Sequence, residues 1–246
     1  MAKKTPSVAL PSVDYRLVPI RPEAHLFQVT CTVTDPDPAG QRFALPAWIP
    51  GSYMIREFAK NIVRIEASAG GKAVGLTQID KATWQAEKVP AGTALSVTME
   101  VYAWDLSVRG AHLDASHGFF NGTSVFLCAL GQEDRPCRVE LVKPQGKAYA
   151  AWRGATSLPV AKGEKGAAPL YGFGRYRAAD YDELIDHPVE MGTFALIEFK
   201  ARGVPHAIAV TGRTDVDLKR LAADLKPICE WQIDLFGGKA PMERYV

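Results

Sequence analysis

Short runs of alternating apolar and polar residues recur along this 246-residue chain and constrain its fold more than any other feature. In the clearest run, at 93–104, every second residue from Leu95 to Ala103 is apolar. Successive side chains of a β-strand point to opposite faces, so this pattern indicates a half-buried strand. Many short strands without intervening helices predict a mainly β protein, built as an antiparallel β-sandwich or saddle. Related runs occupy 13–20, 25–33, 41–48, 61–68, 81–87 and 137–142.

Three further segments depart from simple alternation. Residues 124–130 are apolar on both faces, which predicts a strand in the centre of a sheet. Residues 146–174 are rich in Gly and Ala and predict a long surface loop anchored by Trp152 and Leu158. Residues 180–186 predict a single helical turn before Pro188.

The stretch 47–58 lies between two predicted strands and joins a turn signal to a dense group of large side chains. Pro50 fixes its own φ and Gly51 permits a positive φ, so the chain can reverse sharply there. We expect a buried corner, with Trp48 and Tyr53 largely inside the protein. The alternative is a rim that presents Tyr53 and Arg56 to a ligand.

The hydrophobic period changes near the end of the chain. Residues 193–200 and 204–211 predict a hairpin, and the segment after Gly212 predicts a helix with Thr214 as its N-cap. Pro227 predicts a kink or the start of a second helix. The helical segment carries an apolar stripe of Leu218, Leu221, Leu225, Ile228 and Leu235.

Residues 241–246 read as the beginning of a strand. A helix followed by an unfinished strand is how a second domain starts, so we interpret the chain as a truncated one. The expected division is a β-rich domain at 1–203 and the beginning of a second domain at 204–246.

Composition narrows the class of protein and its partners. Hydrophobic residues make up 47% and charged residues 23%, which is ordinary for a soluble globular protein. The net charge of +2 with no long basic run argues against nucleic-acid binding, and no stretch is long and apolar enough to span a membrane. Four scattered cysteines predict reduced, mostly buried thiols and a cytoplasmic protein.

Three ordered motifs carry a family resemblance that covers the chain from about Val13 to Val246. They are Leu45-Pro-Ala-Trp-Ile-Pro-Gly-Ser-Tyr-Met-Ile-Arg-Glu-Phe58, the stretch from Asp105 through Asp114 to Asn121, and the stretch from Asp180 to Gly192. In this order they resemble the N-terminal domain of the glycyl aminopeptidase family of zinc metallopeptidases, which is similar to the aminopeptidase N group.

The resemblance implies a fold and an activity for a longer parent protein. A β-rich N-terminal domain would cover a thermolysin-like α+β catalytic domain, whose first helix and strand would lie at 204–246. Zinc would be the cofactor of the parent, held by an H-E-x-x-H helix in which two His ligands share one face. This chain contains no H-E-x-x-H, so we expect no catalytic residue in it, no stoichiometric zinc and no peptidase activity.

No histidine spacing in the chain favours another metal site. His112 and His117 are five residues apart, and the remaining histidines are distant in sequence. We therefore expect no metal ligand. A Ser-His-Asp mechanism is equally disfavoured, because no G-x-S-x-G motif is present.

Candidate substrate contacts come from the three motifs. The carboxylates at 180–190 form an acidic capping turn in the simpler interpretation, or an electronegative wall that attracts the N-terminal ammonium of a peptide in the functional one. Arg109 and Asp114 are expected to pair on a loop. The candidate cleft residues are Tyr53, Arg56, Arg109, Asn121, Asp182 and Asp186.

Two functions from different classes fit these observations. The first is the N-terminal domain of a zinc aminopeptidase, which walls the active-site cleft and restricts it to peptide N-termini. Its partners would be the catalytic domain of the same polypeptide and a peptide substrate. The second is a stand-alone, non-catalytic β-sandwich binding module. The apolar stripe of the C-terminal helix must be covered on the chain alone: either the helix folds back onto the β domain or, as we expect, two chains bury their stripes against each other in a two-fold homodimer.

Overall fold

The computed structural model describes residues 12–49 and 51–246. Strands dominate the chain, as the alternation predicts. The helices are α1 Tyr181–Ile185 and α2 Leu218–Leu235, with 3₁₀ turns at Pro22–Ala24, Phe58–Asn61, Gly122–Ser124 and Lys147–Tyr149. The strands are β1 Val13–Arg21, β2 Leu26–Val33, β3 Arg42–Ala44, β4 Ile62–Ala69, β5 Lys72–Val74, β6 Leu76–Gln78, β7 Thr83–Ala86, β8 Leu95–Tyr102, β9 Ala111–Leu113, β10 His117–Phe120, β11 Cys128–Ala129, β12 Cys137–Leu141, β13 Arg153–Ala155, β14 Gly174–Ala178, β15 Val189–Gly192, β16 Phe194–Ala201 and β17 Val204–Thr211.

The strands form one large sheet and three smaller ones. The large sheet has the order β14-β12-β1-β2-β8-β4-β5, with β1 and β12 parallel and its other neighbours antiparallel. The smaller sheets are β13-β15-β10-β9, β11-β3-β7-β6 and the hairpin β16-β17. The expectation of a mainly β, antiparallel fold is confirmed, although β1 and β12 add a parallel pair that local patterns do not reveal.

The core lies between the sheets and is rich in aromatic side chains. Phe120 makes edge-to-face contacts with Phe27 and Phe126, at ring-centroid distances of 5.8 and 5.6 Å. Such pairs add about 0.5–1.5 kcal/mol beyond the area they bury. Within the large sheet, the apolar residues of β8 alternate with polar ones, as the sequence predicts.

The prediction of a central strand at 124–130 is wrong, although the burial it implied is correct. Only Cys128–Ala129 is a strand, and the preceding residues follow a 3₁₀ turn through the core. A buried carbonyl outside a sheet needs another hydrogen-bond donor. The hydroxyls of Tyr15 and Tyr181 supply it, donating to Leu127 O at 2.8 Å and to Phe126 O at 2.7 Å.

The prediction of a buried corner at 47–58 is also wrong for its two largest aromatic residues. Trp48 is 51% exposed and Tyr53 is 97% exposed, while Ile49 and Phe58 are buried. The strand β3 ends at Ala44, so the chain leaves the sheet before the corner and alternate side chains face outward. Gly51 adopts the predicted positive φ of 78°, and Pro50 lies outside the described residues.

The segment 146–174 is more ordered than the predicted surface loop. It contains a 3₁₀ turn and strand β13, which pairs with β15. Trp152 and Leu158 are both buried, so the two predicted anchors are confirmed.

The C-terminal part contains the predicted hairpin, β16-β17, and one helix rather than two. Pro227 lies inside α2. The N-cap is Asp217 instead of the predicted Thr214: Asp217 Oδ1 accepts hydrogen bonds from Lys219 N at 3.0 Å and Arg220 N at 3.1 Å. Thr214 accepts only from Val216 N within the extended segment before the helix.

Helix α2 folds back onto strand β16. Ile233 is buried there, Leu218, Leu221 and Leu225 are half-buried, and Ile228 and Leu235 stay exposed. Near the chain end, Tyr245 forms a parallel bridge with His206. The two paired strands of the hairpin lie on either side of residue 203, where the sequence predicts a domain boundary. None of the helices in the described part of the chain is long and apolar enough to cross a membrane.

Candidate functional site

A broad cleft of about 2410 Å³ lies in the described part of the protein. Its lining includes the short helix α1 and its flanking residues, together with Trp48 and Ile49 from the corner. Further lining residues come from between positions 156 and 171 and from the C-terminal segment 241–245. The β-rich core and the C-terminal segment therefore both contribute to the cleft.

Helix α1 is placed by close packing against the 3₁₀ turn at Gly122–Ser124. A Cβ on Gly122 would lie 2.7 Å from Ile185 Cα, so a larger residue would push the helix away. Asp180 caps the helix by accepting a hydrogen bond from Glu183 N at 2.8 Å. The glycine and the cap together fix where the acidic side chains of α1 stand.

The acidic side chains of α1 divide into two groups. Asp180 and Glu183 accept hydrogen bonds from backbone amides and so belong to the cap. Asp182 and Asp186 are exposed, one helical turn apart, and engage no hydrogen bond or ion pair through their carboxylates within the described residues. These two negative charges are available to a cation in the cleft.

Two lining residues, Tyr171 and Arg244, form a cluster with Glu198. The Tyr171 hydroxyl donates to Glu198 Oε1 at 2.6 Å and accepts from Arg244 Nη1 at 2.8 Å. Burial and the neighbouring Glu198 raise the pKa of Tyr171 to about 12, so the phenol stays neutral. This cluster attaches the segment 241–245 to strand β16.

A serine and a histidine meet within the cleft. Ser157 Oγ lies 2.7 Å from His187 Nδ1, and both residues line the cleft. Burial lowers the pKa of His187, so the imidazole is neutral at pH 7. The pair offers polar contacts to a ligand, and it was not found by sequence reasoning because the two residues are thirty positions apart and fit no local motif.

The structure places three of the six predicted site residues on the cleft: Asn121, Asp182 and Asp186. Asn121 already has an internal role, since its Oδ1 accepts hydrogen bonds from Thr123 N at 3.1 Å and Thr123 Oγ1 at 2.6 Å. Tyr53 and Arg56 lie on the exposed corner, where Arg56 Nε donates to Ser52 Oγ at 3.0 Å. Arg109 lies on the loop between β8 and β9, outside the residues that line the cleft.

Asp114 does not pair with Arg109 as predicted. It contacts His112 and His117 instead, at 3.3 and 3.6 Å, in the hairpin formed by β9 and β10. Burial acts to raise the pKa of the Asp114 carboxyl, but hydrogen bonds from Ser116, His117 and His112 outweigh it and hold the pKa well below the usual range. Burial lowers the pKa of His117, partly opposed by Asp114. Sequence spacing does not signal this grouping, because it depends on the pairing of β9 with β10.

Comparison with known proteins identifies the family. The family model described as the Peptidase M61 N-terminal domain matches residues 14–193, which is well over half of the chain. The chain therefore belongs to the family of Peptidase M61 N-terminal domains. The recognition of an N-terminal peptidase domain from its three motifs is confirmed. A search of curated proteins gives no significant match.

Three solved structures resemble the chain. An aminopeptidase N family protein from Idiomarina loihiensis is 40% identical with a TM-score of 0.86, over 95% of this chain and 38% of that one. An M1 zinc metallopeptidase mutant from Deinococcus radiodurans, bound to a Tyr-Ser-Ala substrate, is 15% identical with a TM-score of 0.50, over 96% and 55%. Legionella pneumophila aminopeptidase A in complex with aspartic acid is 12% identical with a TM-score of 0.56, over 95% and 28%.

The degree of similarity decides what each comparison shows. The Idiomarina protein is similar in sequence and fold, whereas the other two share only the fold. This chain spans 38%, 55% and 28% of these proteins' lengths, so in each of them a large part has no counterpart here.

Proposed function

We propose that this chain is the non-catalytic N-terminal domain of a zinc-dependent aminopeptidase of the glycyl aminopeptidase kind, and that its cleft walls the active site and favours free peptide N-termini. The observation that carries the proposal is the pair of unengaged carboxylates, Asp182 and Asp186, on a cleft of about 2410 Å³. Peptide cleavage itself, and the zinc it requires, would reside in the part of the parent polypeptide beyond this domain.

Electrostatics gives the cleft a preference for cations at the α1 wall. Two carboxylates one turn apart raise the local concentration of positive groups, and a peptide ammonium is the positive group that every aminopeptidase substrate carries. Two of the arginines on the cleft are ion-paired, Arg138 with Asp14 at 2.6 Å and Arg244 with Glu198 at 3.8 Å, so their charges are partly neutralised. Lys162 and Arg177 also line the cleft, outside α1.

The exposed apolar corner supplies a contact surface beside the cleft. Trp48, Tyr53, Met54 and Ile55 are all more than half exposed, and clustered exposed apolar side chains mark interaction surfaces. We propose that the catalytic domain of the same polypeptide covers this corner, which would close one side of the cleft. Tyr53 and Arg56 would then act at the domain interface rather than on substrate.

The test uses the parent peptidase that contains this domain. Asp182→Asn with Asp186→Asn should raise KM for a peptide with a free N-terminus by roughly 3–10-fold while kcat stays close to wild type, because the lost interactions are with exposed charges. The matched control is Asp215→Asn, which removes an exposed carboxylate outside the cleft. Equal KM values in the double variant and wild type would refute the role in N-terminus recognition.

The buried thiols support a cytoplasmic location, which we also propose. Cys128 and Cys137 are buried, and burial raises the pKa of each to about 12, so both stay protonated and unreactive. They behave as small core residues, as the sequence predicts.

A further inference from the structure

The β9–β10 hairpin places three potential metal ligands on one site. His112 lies on β9, Asp114 in the turn and His117 at the start of β10. His112 pairs with Phe119, which is two residues from His117, so both imidazoles project from the same face of the hairpin. Three potential ligands within a span of six residues thus form a compact cluster.

The ligand atoms of this cluster are close together. His112 Nε2 lies 3.3 Å from Asp114 Oδ2, and His117 Nδ1 lies 3.6 Å from Asp114 Oδ1. All three ligand atoms fall within 4.8 Å of one another. Donors around Zn²⁺ stand roughly 3.3 Å apart when each bond is about 2.0–2.1 Å, so the separation of His112 Nε2 and Asp114 Oδ2 already fits.

The Asp114 carboxylate is held in place by its own turn. Its Oδ1 accepts hydrogen bonds from Ser116 N at 2.7 Å, Ser116 Oγ at 2.6 Å and His117 N at 3.0 Å. Hydrogen bonds of this kind orient the ligands of protein metal sites and reduce the entropy lost on binding. The Oδ2 atom faces His112 and stays free of backbone donors among the described residues.

The buried ring of His112 is incompletely satisfied. The residue is 5% exposed, and its Nδ1 has no hydrogen-bond partner within the described part of the chain. A buried polar atom without a partner costs about 1–3 kcal/mol. When Nε2 binds a cation, the ring proton lies on Nδ1, so this cost is present both with and without the ion and does not oppose binding.

We propose that His112, Asp114 and His117 bind one divalent transition-metal ion, with Zn²⁺ as the best match. Two imidazoles and one carboxylate suit Zn²⁺ better than Ca²⁺ or Mg²⁺, which favour oxygen ligands. The imidazole rings of His112 and His117 are stacked with centroids 4.8 Å apart, so the His117 ring turns out of the stack when the ion binds. Water completes the coordination. The ion joins β9 to β10 across the hairpin turn.

An intrinsic reporter lies against the site. Trp104 stacks on His112 with ring centroids 4.9 Å apart. A change in the charge and position of the histidine rings therefore alters the fluorescence of Trp104. Replacing Trp104 with Phe identifies its share of the signal among the five tryptophans of the chain.

The experiment is a titration of the chelator-treated chain with Zn²⁺, followed by calorimetry and by tryptophan fluorescence. We expect one ion per chain with micromolar or tighter affinity and a rise in Tm on binding. His117→Gln, which keeps the Asp114 turn intact, should weaken binding at least tenfold and abolish the rise in Tm. His187→Gln is the matched control, since it removes a half-buried histidine from the cleft and should bind as wild type does.

The sequence alone predicts no zinc in this chain, so the titration separates the two views. The proposed site is overturned if wild type and His117→Gln bind Zn²⁺ with equal affinity, if less than half an ion binds per chain, or if the affinity of the wild type is weaker than micromolar. Circular dichroism of each variant shows whether it is folded. If His117→Gln is not folded, His112→Gln replaces it under the same criteria.

Discussion

At the scale of single residues, solvent exposure determines how much each aromatic side chain contributes to the stability of this protein. Trp84, on β7, is 4% exposed and packs in the core, whereas Trp48 on the corner is 51% exposed. The two tryptophans therefore make very different contributions to stability, although both follow stretches of alternating sequence. A cavity in a close-packed core costs far more than the loss of a partly solvated side chain.

Replacing the two tryptophans measures this difference. Trp84→Ala should reduce the free energy of unfolding by about 3–5 kcal/mol, and Trp48→Ala by about 0.5–1.5 kcal/mol, because little core is disrupted at the corner. Denaturant titration of the isolated chain gives both values. A loss at Trp48 as large as that at Trp84 would mean that the corner is part of the core in solution.

Glu190 is the residue whose titration affects stability near neutral pH. Burial raises its pKa from 4.5 to about 7, partly opposed by the hydrogen bond that Thr211 Oγ1 donates to its carboxyl at 2.5 Å. Because the folded pKa lies above the unfolded one, the stabilisation is full below pH 4.5 and is lost as pH rises to about 7.

The wild type should therefore lose stability as pH rises and Glu190 ionises. The Glu190→Gln variant should not show this loss. Between pH 5 and 8 the wild type should lose about 1–2 kcal/mol relative to the variant, a value reduced to allow for the partial exposure of the carboxyl. Unfolding curves at a series of pH values test this. Glu66→Gln, which changes an exposed carboxylate on β4, is the control and should follow the wild type.

At the scale of elements, helix α2 is characterised by its N-terminal cap and by the face that it packs on β16. It begins at Asp217 because the preceding residues are extended and the Asp217 carboxylate reaches the first free amides. One face packs on β16, and the other keeps large apolar side chains in solvent. Ile228, Trp231 and Leu235 are exposed on this second face, and Phe236 is exposed just beyond the helix end.

The capping prediction compares two neighbouring residues. Asp217→Ala should destabilise the chain by about 0.5–2 kcal/mol, since it leaves two amides of the first helical turn without an acceptor. Thr214→Ala should cost less than about 0.5 kcal/mol, because its hydroxyl only accepts from Val216 N outside the helix. Thermal unfolding of both variants distinguishes the two caps, and the opposite order would restore the sequence-based assignment.

At the scale of the whole molecule, the exposed face of α2 predicts self-association of the chain alone. Burying one large apolar side chain stabilises by roughly 1.5–3 kcal/mol, so four on one surface favour a two-fold pair. The helix already covers β16, which makes removal of the whole helix a poor test, since it would uncover the hairpin.

Light scattering of point variants is the sharper measurement. The wild-type chain should form dimers at tens of micromolar, and Trp231→Glu should remain monomeric, because it places a charge on the exposed face and leaves the packed face intact. Lys226→Glu, an exposed substitution that removes no apolar area, is the control. A monomeric wild type at the same concentration would exclude association through α2.

The sequence by itself determined the β class, most strands, the hairpin and the C-terminal helix, because these follow from residue periodicity within a few positions. It also determined the family, because three motifs occur in a fixed order. The division at residue 203 stays a prediction. Helix boundaries were less well predicted, since Asp217 and Thr214 both suit a cap and only the local backbone selects between them.

Tertiary structure decided everything that depends on which segments meet. It exposed Trp48 and Tyr53, because the chain leaves the sheet at Ala44, and no local pattern contains that information. It placed Asp182 and Asp186 on a cleft that is also lined by residues 241–245 near the chain end. It also gathered His112, Asp114 and His117 through strand register, which depends on pairing between β9 and β10 rather than on spacing in the sequence.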